Sequence, residues 1–292
     1  MTPPPIDLDT WAEGGERFKW RSHRIFYRVS GTGPALLLLH GFPTSGHDWA
    51  WVASALERHF TLIIPDMPDC GFSENPRGSA ASVRQTAEAM DALLQSLGHT
   101  SYHALGHDVG ATILQDLIAR QLERTATCKL LSACFLNGGL IPALHRPVEA
   151  QIKLASWLGP IYARMVAKEK FLEAFANVFG AETRPTEEEL NIFWKSMMGR
   201  NGRGAIARRI RYIAERREQA TRWVGALKGT TVPMAAIWGL DDPVSGRHMI
   251  EGLERILVKL RVTKLSGIGH YPQVEAPDAV VRHFLAFHKI EA

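Results

Sequence analysis

Cysteine is scarce in this chain. Its three residues, Cys70, Cys128 and Cys134, cannot all pair and show no metal-ligand spacing. A disulfide scaffold and a thiolate metal site are therefore not expected. Cys128 and Cys134 flank or lie within an apolar strand-like run, where cysteine behaves as a small hydrophobe. A reducing compartment, the cytoplasm, is expected. Long apolar runs are missing too, and none approaches the ~18 residues of a membrane span. The opening MTPPPIDLDTW has neither a basic nor an apolar leader segment, so no signal peptide is expected. Excess charge of one sign is also absent, with a formal net charge of +4 over 292 residues. Seven arginines crowd between Arg200 and Arg217, but only Tyr212 interleaves them. That stretch reads as a solvated helix face, and no nucleic-acid partner is expected.

What the chain does have is alternation. Short apolar runs, ALLLLH (35–40), TLIIPD (61–66), YHALGHD (102–108), LLSACFLNG (130–138), VPMAAIWG (232–239) and VTKLSGIGH (262–270), are separated by amphipathic stretches. SVRQTAEAMDALLQSLG (82–98) and ATILQDLIARQL (111–122) are helical in pattern. FKWRSHRIFYRVSG (18–31) alternates and turns at its polar centre, as a hairpin does. The pattern predicts an α/β fold with a mainly parallel sheet flanked by helices. It breaks after Gly139: residues 139–226 carry helical patterns without a convincing strand. One helix should open at TEEEL (186–190), where Thr186 and Glu189 have capping-box spacing. Trp157, Met165, Phe171, Phe175, Phe179, Phe193, Trp194, Met197, Met198 and Trp223 are expected mostly to form the core of this helical layer. An insertion between two strands sits above the sheet's carboxyl edge, where open α/β sheets bind ligands. A lid over an apolar pocket is the expected result.

Four features follow apolar runs: HGFPTSGHDW (40–49), GHDVGA (106–111), WGLDDPV (238–244) and GHYPQVEAP (269–277). GHDVG has the small–x–nucleophile–x–small form of a strand-to-helix elbow, with aspartate at its centre. A carboxylate attacking a strained or activated sp³ carbon gives an ordinary alkyl ester, which an activated water can hydrolyse. Attack on a substrate ester would give a reactive anhydride instead, so Asp108 argues against serine-type esterase chemistry. Asp108 as a mere turn or N-cap residue is the plainer alternative.

The order nucleophile, acid, histidine resembles that of α/β-hydrolases, and the aspartate resembles their epoxide hydrolase and haloalkane dehalogenase branch. NGGLIPALHRP (137–147), RYIAERR (211–217) and RWVGALK (222–228) are also similar to the mesoderm-specific transcript family. The resemblance implies a core of 1–138 and 227–292 with a helical cap, 139–226, inserted after the sixth strand. It implies Asp108 as nucleophile, His270 as general base, and Asp242 as the acid that orients it, with Asp241 as runner-up. His40 and His107 read as structural supports. Backbone N–H groups of Phe42 and Val109 are placed for an oxyanion hole. Haloalkane dehalogenases need side-chain N–H donors for the halide, and neither Phe42 nor Val109 supplies one. Fluoroacetate-type enzymes need arginines just after the nucleophile, and DVGAT has none. Epoxide hydrolases use cap tyrosines to protonate the ring oxygen. Tyr212 stands at about the family's distance before the acid, and Tyr162 is the second candidate.

The expectation is thus a cofactor-independent, metal-free epoxide hydrolase acting on an apolar or aromatic epoxide with water. A membrane partner is not expected, and monomer and homodimer stay open. The alternatives are a haloalkane dehalogenase or another hydrolase with an aspartate nucleophile. From another class, a non-catalytic ligand-binding or signalling protein stays open.

Overall fold

Every residue of Ala35–Leu39 is buried, and the reason is that both faces of the strand are covered. In the computed structural model, which describes residues 6–74 and 82–291, Leu37 and Leu39 point into one core and Leu36 and Leu38 into another. Period-two alternation thus splits one apolar run between two layers. Each fully buried leucine stabilises the fold by about 1.5–3 kcal/mol.

The strands are β1 (Glu16–Trp20), β2 (His23–Ser30), β3 (Ala35–Leu39), β4 (Thr61–Pro65), β5 (Ser101–His107), β6 (Lys129–Leu136), β7 (Met234–Gly239) and β8 (Arg261–Leu265). They form one sheet in the order β1-β2-β4-β3-β5-β6-β7-β8. β1 and β2 are the hairpin expected over residues 18–31: Trp20 pairs with His23 around Arg21, whose φ is +52°. β2 runs antiparallel to β4, and the pairs from β4 through β8 are parallel. The chain passes from β3 to β4 on one side and returns to β5 on the other. The loops after β3 and β5 therefore part at a switch point, and a crevice opens there. HGFP follows β3 and GHDVG follows β5.

The helix Val109–Leu122 buries eleven of its residues, Val109 to Ala119, under the cap side of the sheet. On the opposite face Val280, Phe284 and Leu285 of the helix Pro277–Phe287 join Trp49 and Trp11. Between β6 and β7 the described residues hold helices and no strand. They are Glu149–Ala155, Gly159–Met165, Lys168–Ala176, Glu187–Met198, Gly202–Arg209, Tyr212–Glu218 and Ala220–Gly229. The TEEEL capping box is present, with Thr186 N donating to Glu189 Oε2 at 2.8 Å. Ala220–Gly229 packs along Val109–Leu122, so the expected cap boundary at 226 falls inside a helix that lies against the core.

Two of the large apolar residues expected in the cap core are not there. Phe171, Phe175, Phe179, Phe193, Met197 and Trp223 are buried, whereas Trp157 is 88% and Met165 78% exposed. The reading of the arginine run as a solvated face is also corrected. Arg208 forks onto Asp69 at 2.9 and 3.0 Å, and Arg209 donates to the carbonyls of Pro43 and Met197. Arg203 donates to the Val166 carbonyl, and Arg216 is fully buried. Four of the seven thus point inward; Arg208 and Arg209 clamp cap to core.

Candidate active site

Asp108 stands between β5 and the helix Val109–Leu122 with φ +46° and ψ −108°, a backbone conformation L-residues rarely adopt. The small residues around it make that turn possible. A Cβ at Gly110 would lie 2.2 Å from the Leu39 carbonyl oxygen, and one at Gly106 2.7 Å from the Gly110 carbonyl. GHDVG therefore needs glycine on both sides for the strand and helix to approach. The sharp turn lifts the Asp108 carboxylate into the crevice, where it is buried.

One carboxylate oxygen, Oδ2, accepts the Phe42 N–H at 3.0 Å. Val109 begins the helix, so its N–H has no intrahelical acceptor. The other oxygen, Oδ1, accepts from Arg216 Nη2 at 3.1 Å. Burial alone would raise the Asp108 pKa. The Arg216 guanidinium, with His270, His107 and the Phe42 N–H, outweighs it and holds the carboxyl below its usual value.

His270 follows β8 and turns its Nδ1 to Asp242 Oδ2 at 2.7 Å. A carboxylate can only accept, so Nδ1 carries the proton and Nε2 is the free base. Burial pulls the imidazole pKa down. The charge and hydrogen bond of Asp242, and then Asp108, outweigh this and leave it raised. Asp242 follows β7 and also accepts from Asn137 Nδ2, Ser245 Oγ and Val244 N at 2.9, 2.7 and 2.7 Å. Burial would raise its pKa too, but His270 and these donors bring it to about 2. Asp241 faces solvent, so Asp242 is the aspartate at the histidine.

His40 and His107 support the loops from behind. His40 Nδ1 meets the Gly41 carbonyl and Nε2 accepts from Met67 N, and burial lowers its pKa to about 4. His107 Nε2 donates to the His270 carbonyl at 2.7 Å, and burial lowers its pKa to about 3.

Tyr212 is buried on the cap helix Tyr212–Glu218, with its ring 5.6 Å from that of Phe42. Its hydroxyl has no hydrogen-bond partner among the described residues. Burial, and then the charge of Asp108, push the phenol pKa up, so it stays protonated. Tyr162 is not brought to the site. It is half-buried on Gly159–Met165 and lines an outer recess with Lys153, Met165 and Lys170. Its expected role as a proton donor is corrected accordingly: its helix lies on the outside of the cap.

Four residues escaped sequence reasoning. Arg216 donates through Nε to Thr112 Oγ1 at 2.7 Å and through Nη2 to both the carbonyl and the carboxylate of Asp108. It shares a helix face with Tyr212 four residues earlier, a spacing that is visible in RYIAERR. Asn137, just after β6, bridges Gly239 and Asp242. Glu275 accepts from the N–H groups of Gly269, Tyr271 and Gly180, which fixes the loop carrying His270. Tyr271 donates its hydroxyl to the Phe42 carbonyl at 3.1 Å and stacks on Phe179.

Two apolar cavities meet at Phe42. One, of about 50 Å³, is lined by Leu154, Phe175, Val244, Tyr271 and His270. The other, of about 30 Å³, is lined by Met67, Val109, Ile113 and Tyr212. The closed cap therefore leaves room for only a few waters at about 10–15 Å³ each. Among the described residues no group of three or more His, Cys, Asp or Glu side chains is placed to hold a metal ion.

The arrangement has counterparts in known proteins. Residues 34–277 match the model of the alpha/beta hydrolase fold family. The mesoderm-specific transcript homolog protein of Bos taurus is 34% identical over 98% of this chain and 90% of its own length. The putative hydrolase LipZ of Mycobacterium tuberculosis is 32% identical over 96% of each chain. In structure, the epoxide hydrolase CorEH superposes with a TM-score of 0.77 at 21% identity, over 94% of this chain and 98% of its own. The chain, with Asp108 at the elbow, Asp242 and His270 behind it and helices over the crevice, belongs to the α/β-hydrolase family.

Proposed function

We propose that this hydrolase opens apolar or aromatic epoxides to vicinal diols. One observation carries the reading: the ionised, buried Asp108 lies near enough for its charge to act on the buried Tyr212, whose protonated hydroxyl has no hydrogen-bond partner among the described residues. A buried hydroxyl left unpaired costs about 1–3 kcal/mol, which a substrate oxygen would recover.

The chemistry then follows from the donors and acceptors. A carboxylate has about four lone-pair sites, so the single Arg216 bond leaves Oδ1 one to attack with. Oδ1 bonds to a ring carbon, the bond from that carbon to the ring oxygen breaks, and Tyr212 gives the oxygen a proton. Esterification removes the Asp108 charge, and with it one cause of the raised His270 pKa. A larger share of His270 is then neutral and able to accept a proton at the step that needs a base. Its Nε2 takes a proton from water as the water adds to the Asp108 carboxyl carbon. The N–H groups of Phe42 and Val109 hold the oxyanion that forms. Collapse releases the diol as an alkoxide, which takes the imidazolium proton. The proton left on the Asp108 carboxyl returns to the Tyr212 phenolate by way of solvent. The sum is epoxide plus water to diol.

A second reading keeps Asp108 and changes the electrophile to a haloalkane. Arg216 favours it, because it brings side-chain N–H donors to the nucleophile that Phe42 and Val109 lack. One experiment separates the two. His270→Ala enzyme is incubated with aryl epoxides and, in parallel, with haloalkanes of similar size. The epoxide reading expects a trapped ester, seen as the full mass of the epoxide added to the peptide containing Asp108. An adduct only from haloalkanes, with halide released, would overturn it in favour of the second reading. No adduct from either class would point to a binding protein.

A further inference from the structure

Among the described residues, five of the eight exposed large apolar side chains fall between Ile152 and Met165. They lie on the paired helices Glu149–Ala155 and Gly159–Met165 and on the turn joining them. Ile152 is 58% exposed and Ile161 52%, while Trp157 and Leu158 project from the turn. Isolated exposed hydrophobes are ordinary, but a cluster on one edge of a cap marks an interaction surface.

We propose that this helix pair docks onto the surface of an anionic phospholipid bilayer. Charge selects that partner over a second copy of the chain. From Glu149 to Lys168 the stretch carries Lys153, Arg164 and Lys168 against one carboxylate, Glu149, which pairs with Lys153 at 2.6 Å, so the face is net positive. Lys153 and Arg164 are exposed. Like charges would face each other across a symmetric contact between two copies, whereas anionic headgroups would pair with them. Tryptophan at the tip of a short amphipathic element sits well at headgroup depth. No described helix is long and apolar enough to cross a membrane, and surface docking requires none. The absence of a membrane partner expected from the sequence rested on the lack of a span, which a docking face does not contradict.

The face also lies beside the route to the active site. Tyr162 and Met165 line an outer recess of about 750 Å³ together with Val148, Ala150 and Ala174. Those last three also line the cavity at His270. A docked cap would present this recess to the bilayer, so that apolar substrate partitions from lipid toward Asp108. Docking itself does not depend on which substrate the site takes.

The test is flotation of the full chain with phosphatidylcholine vesicles, with and without phosphatidylserine, alongside sedimentation of the protein alone. The expected result is flotation with the phosphatidylserine vesicles, weakened by salt. Trp157→Ser combined with Ile161→Ser should reduce the bound fraction roughly tenfold and leave melting temperature and hydrolysis of a water-soluble substrate unchanged. An Ile152→Asp variant offers an independent check on the same face. Failure of the native chain to float with anionic vesicles would overturn the proposal. So would flotation unaffected by both variants, or a native dimer that the double substitution dissociates.

Discussion

Arg216 Nη2 lies 3.1 Å from Asp108 Oδ1 and 3.0 Å from the carbonyl oxygen of the same residue, with both side chains buried. One cap arginine thus holds the backbone and the carboxylate of the elbow at once. Its charge is the main reason that Asp108 stays ionised despite burial.

Replacing it should show in both stability and pH dependence. A carboxyl whose folded pKa is depressed stabilises the fold above its unfolded value, about 3.9. That contribution fades as pH falls through the folded pKa. Arg216→Met leaves a buried, unpaired carboxylate, so unfolding free energy at neutral pH should fall by about 3–5 kcal/mol. The acidic limb of the kcat/KM profile should move to higher pH. In Arg216→Met with Asp108→Asn much of the stability should return. Denaturant titrations and a pH–rate profile measure each part; an unmoved acidic limb would remove Arg216 from control of the Asp108 carboxyl.

The two cap tyrosines should separate cleanly. Tyr212→Phe is expected to lower kcat on epoxides by roughly 10²-fold or more. It should cost no stability, since the hydroxyl it removes has no hydrogen-bond partner among the described residues. Tyr162→Phe, whose residue lines the outer recess, should leave kcat unchanged. Steady-state kinetics with an aryl epoxide, paired with thermal melts, decide the matter. Equal losses in both variants would contradict the geometry.

Glycine at position 110 is a packing requirement. Gly110→Ala places a methyl 2.2 Å from a backbone oxygen of Leu39. Either the strand or the helix must shift, at a cost of about 1–3 kcal/mol. Gly225→Ala makes the control: it lies within Ala220–Gly229 with nothing near its Cβ position. Helix propensity should make that variant more stable by up to about 1 kcal/mol. Urea midpoints of the two variants should move in opposite directions.

Much of this site could be read from residue order. Strands buried on both faces announce themselves as apolar runs, and the elbow's glycines follow from contacts that any side chain would break. Asp242 and His270 stood at strand ends, where topology alone brings them together. What escaped was direction within the cap. Helices with apolar residues on several faces do not say which face meets the core. Tyr162 and Trp157 therefore passed for inward residues, and Arg216 for a solvated one. Asn137 and Glu275 escaped for another reason: their partners are backbone groups of distant loops, and no spacing records these.

The covalent role of Asp108 has the most direct test. Enzyme in excess is given a single turnover of epoxide in heavy-oxygen water, and the diol and the peptide containing Asp108 are weighed. The account predicts an unlabelled diol and one labelled oxygen on Asp108, because water attacks the carboxyl carbon of the ester. A diol carrying the label from its first turnover would mean that water opens the ring directly, and would contradict it.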